Sequence, residues 1–105
     1  MKDTDFDMLE AKASEAALLL GAMANPKRLV VLCSLLQQER CVGDLAAGVN
    51  LSVPALSQHL AKLRAIGLLD TRREGQMIYY RLASDKVRRV LETLYDVYCA
   101  PDLRH

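Results

Sequence analysis

The chain has 105 residues, of which 51% are hydrophobic and 26% charged, and its formal net charge is only +1. That is the length of a single domain, 1–105, small for a self-sufficient core, with one Phe and four Tyr leaving Leu, Val and Ala to fill it. No apolar run approaches the roughly 20 residues of a membrane span, and the acidic N-terminus lacks the pattern of a secretion signal, so a cytoplasmic protein with no membrane partner is expected.

Polar residues 1 to about 7 are expected to fray. From Met8 to Met23, Leu9, Ala13, Ala16, Ala17 and Leu20 recur at helical spacing in an Ala-rich segment. On so small a chain, this Leu-rich first helix predicts a homodimer that buries apolar surface a lone chain leaves wet. Asn25-Pro26 marks a cap and first turn. The helix from Lys27 to Gln37 is apolar on most of its circumference, which predicts burial. Glu39-Arg40 is a connection, Val42 to Ala47 a short helix, and Gly48-Val49-Asn50 a turn.

Ser52 then caps a helix with Pro54 in its first turn. Leu56, Leu60 and Leu63 fall within about 60° of one another at roughly 100° per residue, an inward stripe. Pro54, Gln58, Ala61 and Lys62 face away, with Ser57 on the shoulder and His59 at the border. Small and hydrogen-bonding residues on an outward face suit close approach to base edges in a DNA major groove. Gly67 ends this helix. Leu68 to Arg73 and Gln76 to Leu82 predict two strands joined by a Glu74-Gly75 turn, a wing over 68–82. Ser84-Asp85 caps a closing helix to about Cys99, stopped by Ala100-Pro101, with Val87, Val90, Leu91, Leu94, Val97 and Tyr98 on its apolar side. Tyr79, Tyr80, Tyr95 and Tyr98 are expected to pack wing and last helix together.

Charge distribution sharpens this reading. Eight basic residues lie between Lys62 and Arg89, and Arg28 adds to them if it folds alongside; the first fifteen residues carry five acids against two Lys. A dipolar chain of this kind can attract phosphate locally while staying near neutral as a whole. The fold class is therefore mainly α with a small β-hairpin, a winged helix-turn-helix. The expected DNA-contacting residues are Ser52, Pro54, Ser57, Gln58, His59 and Lys62 on the helix, and Arg72 and Arg73 on the wing. Catalytic residues and cofactors are not expected: there is no Gly-rich phosphate loop, no paired acid/base carboxylates, no nucleophile with a His partner and no Cys-x-x-Cys. A DNA-free protein-interaction module is the alternative from another class, and the outward Ser57, Gln58 and Lys62 weigh against it.

The segments Ala22-Met23-Ala24-Asn25-Pro26-Lys27-Arg28-Leu29, Ala55-Leu56-Ser57-Gln58-His59-Leu60 and Gly75-Gln76-Met77-Ile78-Tyr79-Tyr80 resemble the winged-helix repressors of the ArsR/SmtB family, over about Ala16 to Cys99. The resemblance implies a homodimer whose interface is formed by the first and last helices, here about 8–23 and 84–99, bound to an inverted-repeat operator in double-stranded DNA and released by an inducer. Arsenite-binding members resemble Cys-Val-Cys-Asp-Leu, where this chain has Cys41-Val42-Gly43-Asp44-Leu45; Gly43 cannot ligate, and Cys41 alone is incidental. Zinc-binding members use His and carboxylate pairs in the last helix, which here has no His, so no metal site is assigned. One cysteine in the second helix and one ending the last is similar to the sulfide-responsive BigR/SqrR-type repressors. That likeness implies redox sensing by Cys33 and Cys99, with polysulfides or persulfides as inducer. A metal-responsive repressor, or a general oxidant sensor using the same cysteines, is the alternative.

Overall fold

A computed structural model describes residues 5–99, and the elements follow from their caps. Helix α1, Phe6–Met23, starts two residues before the sequence suggests, because the Asp5 carboxylate accepts the Met8 amide at 3.1 Å and so satisfies an otherwise orphan donor. Helix α2, Pro26–Ser34, is capped by Asn25, whose Oδ1 accepts from the Lys27 and Arg28 amides. It stops at Ser34 rather than Gln37. Leu35 and Leu36 instead bond three residues back, to Leu32 and Cys33, tightening the chain into a turn.

The predicted Glu39-Arg40 connection contains a strand. Residues Arg40–Cys41 form β1, paired with Tyr80 and Tyr79. Helix α3, Val42–Val49, takes in Gly48 and Val49, which the sequence assigns to a turn. Asn50, at φ 57, ends it alone, a conformation Asn tolerates better than most residues. Helix α4, Val53–Ala65, has Ser52 as cap and Pro54 in its first turn, as expected. Gly67, at φ 82, turns the chain into the wing.

Strands β2, Leu69–Glu74, and β3, Met77–Leu82, pair antiparallel with Glu74 opposite Met77, so the turn is Gly75-Gln76 and not Glu74-Gly75. Sheet order is β1-β3-β2. Ser84 caps α5, Asp85–Tyr98, which ends at Cys99. The Ala100-Pro101 stop and the first four residues lie outside the described part.

The core joins Val31 and Leu32 of α2, Leu45 of α3, Leu56, Leu60 and Leu63 of α4, Leu69 and Leu82 of the wing, and Val87 and Leu91 of α5. Each buried leucine contributes about 1.5–3 kcal/mol through area removed from water. Two parts of the expected core lie outside it. Helix α2 is buried along one side only, with Val30 52% exposed. Helix α1 buries only Ala22 and Met23, and Leu20, an expected apolar position, is 57% exposed. Among the described residues no single helix is long and apolar enough to cross a membrane.

Candidate nucleic-acid interface and thiol cleft

Helix α4 divides into two faces. Leu56, Leu60 and Leu63 are wholly buried, while Ser57, Gln58, Ala61 and Lys62 are exposed on the other side. Ser52 and Pro54 are exposed at the helix start, where the Ser52 hydroxyl accepts the Ala55 amide at 3.2 Å. Lys62 and Arg64 stand in the last turn, where positive charge complements the helix dipole. His59 is half-buried, and its Nδ1 accepts a 3.0 Å hydrogen bond from Nε of Arg28. The neighbouring Lys27 ammonium donates to the Val49 carbonyl at the end of α3. The first turn of α2 is thus tied to both helices of the helix-turn-helix.

In the wing the two arginines part company. Arg72 donates through Nε to Glu39 and through Nη1 to Glu74, both at 2.8 Å, and its guanidinium lies 4.8 Å from the centre of the Tyr79 ring. Glu74 and then Glu39 hold it more firmly protonated than usual. Strand alternation places Arg73, one residue on, on the opposite face, exposed and with no carboxylate partner among the described residues. Within the wing, then, Arg72 braces the sheet, while Arg73 has no carboxylate partner among the described residues. Arg81 joins the same brace through Glu39, at 3.7 Å, and also pairs with Asp70, whose carboxyl is held below the usual range by the Thr71 amide and then by Arg81. Sequence reasoning counted Arg28 with the basic residues but missed its pairing with His59 and that of Glu39 with Arg72, because the partners lie 31 and 33 residues apart.

The second site lies between α2 and α5. Cys33, half-buried, and Cys99, exposed, line one cleft of about 470 Å³ together with Val30, Arg40, Tyr95 and Tyr98. Burial pushes the Cys33 thiol up, and the neighbouring Cys99 pushes it further. Cys99 is thus the more accessible thiol and Cys33 the more sheltered one. Tyr98, expected to pack in the core, is 72% exposed, and Tyr95 is half-buried at the cleft wall. Cys41 stands apart on β1, opposite Tyr79, and does not line the cleft. Among the described residues no three His, Cys, Asp or Glu side chains are grouped to hold a metal ion.

A helix packed inward on leucines and outward on small polar residues, followed by a braced β-hairpin, defines a winged helix-turn-helix DNA-binding protein. The model of the bacterial regulatory proteins of the arsR family matches residues 25–71. A biofilm growth-associated repressor from Agrobacterium fabrum is 48% identical over 94 residues, covering 90% of this chain and 80% of the relative. The reduced form of HlyU from Vibrio cholerae superposes with a TM-score of 0.85 at 47% identity, over 88% of this chain and 97% of that one. A homodimeric winged helix-turn-helix DNA-binding domain from Mycobacterium bovis matches with a TM-score of 0.78 at 31% identity, over 100% and 96% of the two chains. The chain belongs to the arsR family and is a DNA-binding transcriptional regulator, not an enzyme.

Proposed function

We propose that this regulator is a homodimeric repressor that releases operator DNA when reactive sulfur links Cys33 to Cys99. One observation carries the proposal: thiols 66 residues apart in the chain line one cleft, near enough for Cys99 to raise the Cys33 thiol. The repressor name of the Agrobacterium relative supports repression, and the reduced form solved for HlyU, a relative named a transcriptional activator, supports the redox part alone. The exposed Phe6, Leu18 and Leu20 of α1 and Val97 of α5 support dimerisation through those helices, as does the homodimeric mycobacterial relative. Each α4 presents Ser57 and Gln58 to a half-site, with half-sites on the order of 34 Å apart in an inverted repeat.

The chemistry balances with persulfide as the only oxidant. The Cys99 thiolate attacks the terminal sulfur of a low-molecular-weight persulfide, RS–SH, forming Cys99–S–SH and expelling RS⁻. Cys33 takes a second sulfur in the same way. The terminal sulfur of one persulfide then attacks the Sγ of the other cysteine and expels HS⁻, leaving a bridge with one inserted sulfur. Such a bridge is longer than a direct disulfide, whose Cα atoms must stand near 5.5–6 Å, so polysulfide crosslinks where peroxide does so poorly. Bridging shifts α5 and changes the spacing of the two reading helices. A few kcal/mol of differential stabilisation suffices to move a repressor from mostly bound to mostly free.

The test is operator release followed by gel shift, with intact-protein mass spectrometry after polysulfide, glutathione disulfide, peroxide, zinc or arsenite. Polysulfide should add one sulfur less two hydrogens and free the DNA. Cys33→Ser and Cys99→Ser should bind DNA and ignore polysulfide, and Cys41→Ser should respond normally. Release of the Cys33→Ser protein by polysulfide, or tight zinc or arsenite binding coupled to release, would overturn the proposal.

A further inference from the structure

We propose that Arg28 and His59 form a clamp for one DNA phosphate at the flank of α4, with Arg28 setting which imidazole nitrogen carries the proton. The inference rests on the DNA-binding reading above and adds to it a residue outside the helix-turn-helix. An imidazole that accepts at Nδ1 is neutral and carries its proton on Nε2. By donating to Nδ1 at 3.0 Å, Arg28 therefore makes Nε2 a hydrogen-bond donor and fixes the ring plane. That Nε2 has no partner among the described residues, nor do the two terminal nitrogens of Arg28. Both residues are half-buried, yet no side-chain nitrogen in a residue of that class is both sealed from solvent and unpaired. These N–H groups consequently reach the surface with their hydrogen-bonding capacity unspent.

Position and charge choose the ligand. His59 lies to one side of the outward pole marked by Gln58, within about 60° of Lys62 around the helix. When the pole of a helix meets base edges, its flank meets the sugar-phosphate backbone beside the groove. Arg28 and Lys62 stand together at the edge of a cleft between α1 and α4 whose other lining, Leu18 and Ala22 of α1 and Leu63 of α4 among it, is apolar and holds no carboxylate. A planar guanidinium beside an imidazole N–H presents several donors and a fixed positive charge, which matches an anionic oxygen pair better than it matches a base edge. Because Asn25 and Lys27 hold the first turn of α2, the donors are fixed before DNA arrives.

The experiment is an affinity series on the operator in which each backbone phosphate in turn is replaced by an uncharged methylphosphonate. For the wild-type dimer, one position flanking each half-site should cost roughly tenfold, the value of a hydrogen bond to a charged group. His59→Asn keeps an acceptor where Nδ1 stood but lacks the outer donor, so its fold is preserved. Because the change is present in both subunits, it should bind the natural operator roughly a hundredfold more weakly, tenfold for each half-site, and become indifferent to the methylphosphonate at either flanking position. Arg28→Gln should do the same and lower the slope of log affinity against log salt by about 2, one phosphate contact being lost in each subunit. The double variant should lose little more than either single one, because both act on one phosphate. If the wild type binds DNA but no flanking position is sensitive, or if His59→Asn stays as sensitive as wild type, the clamp is wrong and the DNA-binding reading stands. If the wild type binds no operator DNA, both fall.

Discussion

Helices α1 and α4 are both rich in apolar residues, yet they end in opposite situations. Helix α4 buries Leu56, Leu60 and Leu63 completely and, beyond Val53 and Pro54 in its first turn, turns small or polar groups outward. Helix α1 is longer and buries only Ala22 and Met23, leaving Leu18 and Leu20 more than half exposed. The first is held by its own chain. The second carries apolar surface that its own chain leaves uncovered, which on our proposal the partner subunit covers. The difference separates stability that belongs to the fold from stability that depends on association.

That contrast can be broken by substitution. The largest effect should come from Leu60→Ala, which opens a cavity in the shared core and should lower the free energy of unfolding by about 2–5 kcal/mol in urea titrations. A loss within about 0.5 kcal/mol, the scale of a surface change, would remove α4 from the core. Leu20→Glu should leave the helical circular-dichroism spectrum intact but shift the sedimentation coefficient from dimer to monomer. A Leu20→Glu protein that still sediments as a dimer would take α1 out of the interface.

The same contrast sharpens within the DNA-facing surface, between residues that read and residues that hold. Gln58→Ala should cost about 1–3 kcal/mol at the cognate site and relax sequence preference. Arg73→Ala should weaken binding to all duplexes alike and flatten the salt dependence. Arg72→Ala acts on Glu39 and Glu74 instead, and should loosen the wing with a smaller, sequence-independent loss. Equal loss of sequence preference in the Gln58 and Arg73 variants would erase the division.

The smallest effect concerns the cleft. Burial first, and Cys99 second, raise the Cys33 thiol in the folded protein above its ordinary value. A raised folded value means that the fold favours the protonated thiol. Its contribution to stability is therefore full below the ordinary thiol range and is lost as pH climbs through the folded value. Urea midpoints should fall more steeply for the wild type than for Cys33→Ser above about pH 8. Parallel curves would show that Cys33 is no more sheltered than a free thiol.

Much of this was legible in the residues because the forces involved are local. A cap at Asn25, Ser52 or Ser84 acts on amides two or three positions away, and Gly67 alone accepts the backbone twist that ends α4 without strain. The stripe Leu56, Leu60, Leu63 repeats at the helical period, so both its helix and its inward face follow from spacing. Strand β1 is only two residues long, too short for any alternation to reveal it, and exists because β3 offers it an open edge. The extents of α2 and α3 and the exact hairpin turn slipped by one to three residues, where three-residue bonds and a left-handed Asn compete with helix continuation.

The sequence by itself therefore determined the order of the helices and the hairpin, the two faces of α4 and the resemblance that points to Cys33 and Cys99. Which polar groups meet was decided only in three dimensions. Glu39 claims Arg72 and leaves Arg73 free, Arg28 reaches His59, and α2 packs beside α5 so that two distant thiols share a cleft. The physical reason is range. Propensity and capping are settled within one helical turn, whereas a hydrogen bond or a thiol pair spanning 31 to 66 residues exists only once buried leucines have fixed the distance between helices.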